Sequence, residues 1–227
     1  FQEFIKLAPP PTERKSNIGI IKPTTKNFSG FIFKIQANMN PDHRDRIAFL
    51  RVCSGKFQRD MVVTQARTGK KIRLSQPQQF MAQNRDIVEE AYPGDIIGIF
   101  DPGVYQIGDT LTDGDSFEFE KLPRFTPENF AKVTASNAMK HKQFHKGLSQ
   151  LTEEGAVQIY KDPRTEDIIL GVVGELQFEV FLYRLKEEYG VEVNLHRLPY
   201  KIARWIKDPA GNIMSKLRDF IVKDEDG

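Results

Sequence analysis

Phe31-Ile32-Phe33-Lys34-Ile35-Gln36-Ala37-Asn38-Met39-Asn40-Pro41-Asp42-His43-Arg44-Asp45-Arg46-Ile47-Ala48-Phe49-Leu50-Arg51-Val52 is the stretch on which the fold turns. Two runs rich in β-branched and aromatic residues, 30–37 and 46–53, flank a loop of turn formers and charges. That pattern describes two strands joined by a solvent-facing connection. Alternation sets Phe31, Phe33 and Ile35 on one side of the first run, with Ile32, Lys34 and Gln36 on the other. The loop is too polar to bury and too rich in arginine for a neutral connector. Arginine offers planar, bidentate donors to phosphate, and Asp42 and Asp45 can hold its guanidinium groups in place. His43-Arg44-Asp45-Arg46 therefore reads either as a contact for an anionic partner or as a loop closed by its own ion pairs.

Further strands are expected at 61–66, 71–74, 86–89 and 95–100, with short ones near Thr110 and Phe117. Ser54-Gly55, Thr68-Gly69, Pro93-Gly94, Asp101-Pro102-Gly103 and Asp113-Gly114 mark the turns. Many short strands with regular turns argue for a closed or nearly closed antiparallel barrel, which removes exposed edges. After Pro123 the period changes. A strand at 130–135 precedes a helix at 137–154, where Phe144, Leu148 and Leu151 share a face and Gly155 suits a left-handed cap. Strands at 156–160 and 168–173 follow, then a helix at 175–189 with Phe178, Phe181, Leu182, Leu185 and Tyr189 on one face and Gly190 at its end. A strand at 191–196 completes β-α-β-β-α-β, the order of a ferredoxin-like sandwich. Its helices would cover one sheet face and leave the other open to a partner or a further domain.

The expected fold class is thus multidomain β plus α+β, with an antiparallel barrel over 28–122 and a ferredoxin-like unit over 123–227. Residues 200–206 suit a strand or connector, 215–222 a partial helix, and 223–227 a loose acidic tail. At the other end Phe1, Phe4, Ile5 and Leu7 share a side, as in the last turns of an amphipathic helix. Ala8-Pro9-Pro10-Pro11 stops it, and 1–27 reads as a linker from an upstream domain.

With 28% charged and 39% hydrophobic residues, the chain can pack cores under a heavily ionised surface. The longest apolar runs fall far short of the ~20 residues of a spanning helix, and no secretory leader is evident. Neither feature points to a membrane. A single cysteine, Cys53, forms no intrachain disulfide and fits the cytoplasm. Net charge is only +2, but between 40 and 75 nine basic residues face three acidic ones. Such asymmetry favours a phosphate-rich partner through counterion release, or a β surface on which cations discourage edge pairing.

Catalytic constellations are scarce. Gly-x-x-x-x-Gly-Lys-[Ser/Thr] does not occur, and Gly69-Lys70-Lys71 sits at a hairpin turn, not at a strand-to-helix junction. His141 and His145, four apart on a helix, could face one metal and serve a hydrolase, but Lys140, Lys142 and Lys146 oppose a cation and a third ligand is needed. Glu153-Glu154 and Glu187-Glu188 lie in last helical turns, where the dipole mildly disfavours carboxylates. Cys53, at a strand end, reads as a small buried residue. Trp205 suits an interdomain seam or base stacking.

Residues 31–46 resemble the start of the second domain of the bacterial peptide chain release factor 3 family of translational GTPases. The resemblance continues through Phe80-Met81-Ala82, Val88-Glu89-Glu90-Ala91-Tyr92-Pro93-Gly94-Asp95-Ile96, Gln106-Ile107-Gly108-Asp109-Thr110, 148–158, Gly174-Glu175-Leu176-Gln177-Phe178 and Ala203-Arg204-Trp205. It implies a barrel like the second domain of elongation factors Tu and G, then a domain like the third of elongation factor G. It also implies that GTP and Mg belong to an upstream domain and that this chain alone holds no cofactor and is inactive. The implied partners are the ribosome, through its RNA and protein, and the class I release factors, whose release and recycling the family promotes after peptide release. On that reading His43, Arg44, Arg46, Lys56 and Arg59 form the ribosomal RNA contact. A relative of elongation factor G or of the ribosomal protection factors remains the alternative.

Overall fold

The structure is a computed structural model and describes residues 2–37, 46–75, 77–81, 84–123, 125–205 and 222–223. In chain order the elements are α1 (Gln2–Leu7), β1 (Arg14–Ser16), β2 (Gly19–Ile21), β3 (Ser29–Ala37), β4 (Arg46–Ser54), β5 (Phe57–Gln58), β6 (Val62–Gln65), β7 (Lys70–Arg73), β8 (Gln78–Met81), β9 (Asn84–Ile87), β10 (Glu90–Ala91), β11 (Ile96–Phe100) and β12 (Thr110–Thr112). They continue with β13 (Asn129–Ala135), a 3-10 turn (Ala138–Lys140), α2 (His141–Glu153), β14 (Gln158–Lys161), β15 (Ile168–Val172), α3 (Leu176–Tyr189) and β16 (Val193–Leu198). Two compact units emerge, Phe1–Pro123 and Arg124–Gly227.

In the first unit eight strands pair in the order β7-β6-β12-β3-β4-β11-β8-β9, every pair antiparallel, and β5 pairs with β10 separately. Among the described residues the hydrogen-bonded ladder ends at β7 and β9. The core gathers Ile32, Ile35, Leu50, Val52, Phe57, Ile97 and Leu111, each buried. Burying each such side chain fully stabilises the fold by about 1.5–3 kcal/mol before entropy is subtracted.

The alternation expected for 31–35 is broken by a bulge. Ile32 pairs with Leu50 and Lys34 with Phe49, leaving Phe33 as the extra residue. Because one inserted residue reverses the pleat, Ile32 and Ile35 both reach the core while Phe31 packs on the other side against Phe119, ring centroids 6.2 Å apart. β8 is not among the expected strands either, since Gln78-Gln79 carries little strand signal and its pairing with β9 and β11 is tertiary. The same holds for the β1–β2 hairpin inside 1–27. It is strapped to 118–120 by Asn17 N–H to the Glu118 carbonyl (2.9 Å) and Glu120 N–H to the Lys15 carbonyl (3.0 Å). No named strand forms at Phe117; Phe119 makes an isolated bridge to Ser16.

The second unit has the chain order β-α-β-β-α-β and a four-stranded antiparallel sheet, β14-β15-β13-β16. α2 and α3 supply Phe144, Leu148, Leu151, Phe178, Phe181 and Leu185 to a core with Ala131, Val133, Leu170 and Val172. Gly147 in α2 faces α3 closely enough that a Cβ would lie 2.4 Å from Leu185 Cδ1. α3 ends at Gly190, whose left-handed backbone (φ 65°, ψ 27°) lets it and Val191 satisfy the last carbonyls. The opposite sheet face, expected to be open, buries Phe130, Tyr160 and Ile169, against which Leu198 and Ala203 pack. The Tyr200 ring stands 6.4 Å from that of Phe130. No described helix is long and apolar enough to cross a membrane. The partial helix expected at 215–222 lies almost wholly outside the described residues.

Candidate nucleic-acid interface

Of the five residues expected to meet RNA, His43 and Arg44 lie outside the described residues. Arg46 opens β4 and turns inward, with a side chain only 10% exposed. Its Nε donates to Asp101 Oδ2 at 2.6 Å and its Nη2 to the Tyr105 carbonyl at 3.4 Å. The other Asp101 oxygen accepts the N–H groups of Gly103, Val104 and Tyr105 at 2.8, 2.9 and 3.2 Å. Arg46 thus ties the start of β4 to the turn after β11. These bonds hold its guanidinium inward, whereas the sequence expects it in the outward contact.

A second buried carboxylate repeats the device. Asp109 accepts from Gln65 Nε2 (2.6 Å), Arg67 Nε (2.6 Å) and the Gln106 amide (2.8 Å). Arg67 has its pKa raised, chiefly by this hydrogen bond. Between the two aspartates Tyr105 is buried, and desolvation followed by the two negative charges pushes its phenol pKa up.

Lys56 and Arg59 face solvent, with side chains 39% and 37% exposed, but each is paired. Lys56 reaches Glu90 at 2.5 Å and lies 5.7 Å from the Tyr92 ring centroid. Arg59 reaches Glu89 at 2.8 Å and Asp60 at 3.7 Å. Hydrogen bonding to Glu90 raises the pKa of Lys56, and bonding to Glu89 raises that of Arg59. Exposed pairs of this kind are weak in water and screened by salt, so a phosphate can exchange with the glutamates. The positive excess of 40–75 is therefore met in space by Asp101, Asp109, Glu89 and Glu90 from outside that segment.

Lys70, Lys71 and Arg73, absent from the expected site, stand exposed on β7 at the end of the ladder. None makes an ion pair with another described residue. Lys71 and Arg73 share one face of the strand by the two-residue period. The Asp60 amide bonds to the Leu74 carbonyl at 3.0 Å, which brings this strand end beside Arg59. The legible signal was Lys71-Ile72-Arg73, a strand with cations on alternate positions.

His141 and His145 approach at 3.0 Å, Nε2 to Nε2, and among the described residues no third His, Cys, Asp or Glu joins them. Burial, then His141 and Lys161, lowers the pKa of His145. Glu154 and Glu188 share Arg184, at 2.6 and 2.5 Å, which links the ends of α2 and α3. One carboxylate of each sequence pair, Glu154 and Glu188, thus joins a single clamp. Burial pushes the Cys53 thiol up to about 11, against the opposing pull of Arg14 and Arg51. Trp205 is 62% exposed.

The two units fall into a class when compared with known proteins. Residues 27–114 match the family described as elongation factor G domain 2, and residues 119–227 match class II release factor RF3, C-terminal domain. Both families are translation-factor modules. Among curated relatives, peptide chain release factor 3 of Symbiobacterium thermophilum is 60% identical over 206 residues, covering 90% of this chain and 39% of the relative. Its counterpart in Listeria welshimeri is 56% identical over 223 residues, covering 97% of this chain and 43% of the relative. The chain belongs to the release factor 3 family, and it spans about two fifths of the length of these relatives. A crystal structure of a Thermus thermophilus protein shares the fold with a TM-score of 0.64 at 24% identity, over 78% of this chain and 27% of that one.

Proposed function

We propose that this chain is the ribosome-facing part of a translation termination GTPase that promotes release and recycling of class I release factors in the cytoplasm. The observation that carries the reading is 60% identity, through both units, to a protein described as peptide chain release factor 3. The match of 119–227 to the release factor family favours it over an elongation factor G relative. On this reading 28–122 is a translation-factor barrel, 123–227 a ferredoxin-like sandwich, and 1–27 the lead-in from a GTPase domain. GTP and Mg belong to that other domain. Gly69-Lys70-Lys71 does not fit a phosphate-binding loop, because it lies at the β6–β7 turn and runs directly into β7 instead of opening a helix.

The ribosomal RNA contact is assigned to His43, Arg44, Lys56 and Arg59, widened by Lys71 and Arg73, with Arg46 as the anchor beneath. Class I release factors and ribosomal protein complete the partners. Co-sedimentation of the chain with 70S ribosomes across a salt series tests the contact. Reversing Arg44 and Arg59 to glutamate should weaken binding and flatten log K against log salt by about two, one per phosphate lost. Unchanged binding and slope in a folded variant overturn the assignment. Arg46 is left intact, since its reversal would place two carboxylates face to face in the interior.

A further inference from the structure

A shallow cleft in the first unit, about 70 Å³, is lined by Pro11, Thr12, Glu13, Arg14, Arg51 and Cys53 among others. Two arginines line it for a reason of register. Arg51 on β4 pairs directly with Phe31 on β3, so both side chains leave the sheet on the same side. Arg14, delivered by the β1–β2 hairpin, stacks on Phe31 with Cζ 3.7 Å from the ring centroid and 5.5 Å from that of Phe119. Its Nη2 donates to the Glu120 carbonyl at 3.0 Å. The fork is therefore held rigid before any ligand arrives.

Neither arginine makes an ion pair with another described residue. Arg14 Nε is buried with no hydrogen-bond partner, an unmet donor of the kind that ordinarily destabilises a fold. Among the described residues, no carboxylate closes an ion pair with either. Glu13 is exposed at the rim and bonds to neither, and Cys53 keeps its proton because burial raises its pKa to about 11. Burial lowers the pKa of Arg14, and repulsion from Arg51 adds to that shift against the weaker opposing pull of Cys53 and Glu120. The space is far below the ~300 Å³ of a pocket for a nucleoside-sized molecule and suits one small oxyanion.

We propose that Arg14 and Arg51 form a binding site for a single phosphate group, in the cleft between the β1–β2 hairpin and β4. The site goes beyond the ribosome contact assigned above and uses none of its residues. The phosphate has two possible sources, a backbone phosphate of RNA or a free phosphate-class ion, and two arms separate them. In the first, the 227-residue chain is titrated with inorganic phosphate against chloride at constant ionic strength, and the arginine Nε–H resonances are followed by NMR. The Arg14 Nε–H signal should move saturably, and Arg51→Gln should weaken the apparent affinity about tenfold, the loss expected for one charge-assisted bond. Arg51→Lys, which keeps the charge, should recover part of it. Arg51 is exposed, and preserved amide dispersion verifies that the variants fold.

In the second arm the same variants are sedimented with 70S ribosomes. A salt slope reduced by about one in Arg51→Gln identifies an RNA phosphate as occupant. An unchanged slope beside a saturating phosphate titration identifies the free ion. No saturable movement of Arg14, or an equal response in Arg51→Gln, overturns the site. Wild-type sedimentation is read independently, so failure of the ribosome reading would leave the phosphate result standing.

Discussion

The two units solve the problem of charge differently. In the first, cations clustered in sequence are matched to carboxylates from later parts of the chain: Arg46 to Asp101, Arg67 to Asp109, Lys56 to Glu90 and Arg59 to Glu89. Two of those acids are buried and each holds several backbone or side-chain donors, so loops, not the strand ladder alone, are fixed by ion pairs. In the second unit apolar stripes of two helices carry the packing, and the principal partly buried ion cluster, Arg184 with Glu154 and Glu188, closes helix ends. The lesson is that a positive segment is not a positive surface. What remains for an anionic partner is the part left at the surface, either unpaired or in exposed pairs that a phosphate can enter.

The sharpest way to break this contrast is to delete one charge where it is most enclosed. Asp101→Ala should destabilise the first unit by about 3–5 kcal/mol, because it strands the Arg46 guanidinium and three amides. Urea titration followed by NMR should show the loss in 96–112 and spare 129–198. The matching change in the second unit is apolar. Phe178→Ala removes a fully buried ring on which Arg197 stacks at 4.1 Å, with an expected loss of about 3–5 kcal/mol read at 129–198. If Asp101→Ala costs far less than Phe178→Ala, the ion pairs of the first unit are decoration.

Gly147→Ala sharpens the helical side. Propensity alone would favour alanine by about 1 kcal/mol, but the new Cβ would meet Leu185 Cδ1 at 2.4 Å and Tyr189 Cγ at 3.0 Å. Overpacking of about 1–3 kcal/mol should win, so the urea midpoint falls instead of rising.

Cys53 supplies a pH test. Its folded pKa is raised from 9.0 to about 11, so the native state favours the protonated thiol. That contribution is complete below the unfolded pKa of 9.0 and is lost as pH climbs towards about 11. Alkylation by iodoacetamide should be slow at mildly alkaline pH and rise with a midpoint near the folded value; a midpoint near the unfolded one would show an open thiol. The smallest effect is expected at the surface, where Arg59→Glu should leave the urea midpoint unmoved and alter only ribosome binding.

Much of the second unit was legible because its signals are local. Phe178, Phe181 and Leu185 recur at helical spacing, and Gly190 stands where a left-handed cap is needed. The site was less legible because Arg46 and Arg59 look alike as letters. Only β4 starting at Arg46, and the backbone of 101–105 folding beneath it, turned the first inward. Likewise nothing local announces that Arg14 will lie on Phe31, since the β1–β2 hairpin is held by 118–120, with the Glu118 amide bonding to Asn17 across 101 residues.

By itself the sequence determined the order of elements in the second unit, most strands of the first, and the family to which the chain belongs. These rest on period, turn chemistry and motif, which act between neighbours in the chain. The tertiary structure alone decided the bulge at Phe33, the second sheet face closing on Phe130 and Tyr160, and which cations face water. The physical reason is common to all three. Strand pairing brings together residues far apart in sequence, and whether a charge is neutralised depends on what those pairings place a few ångströms away.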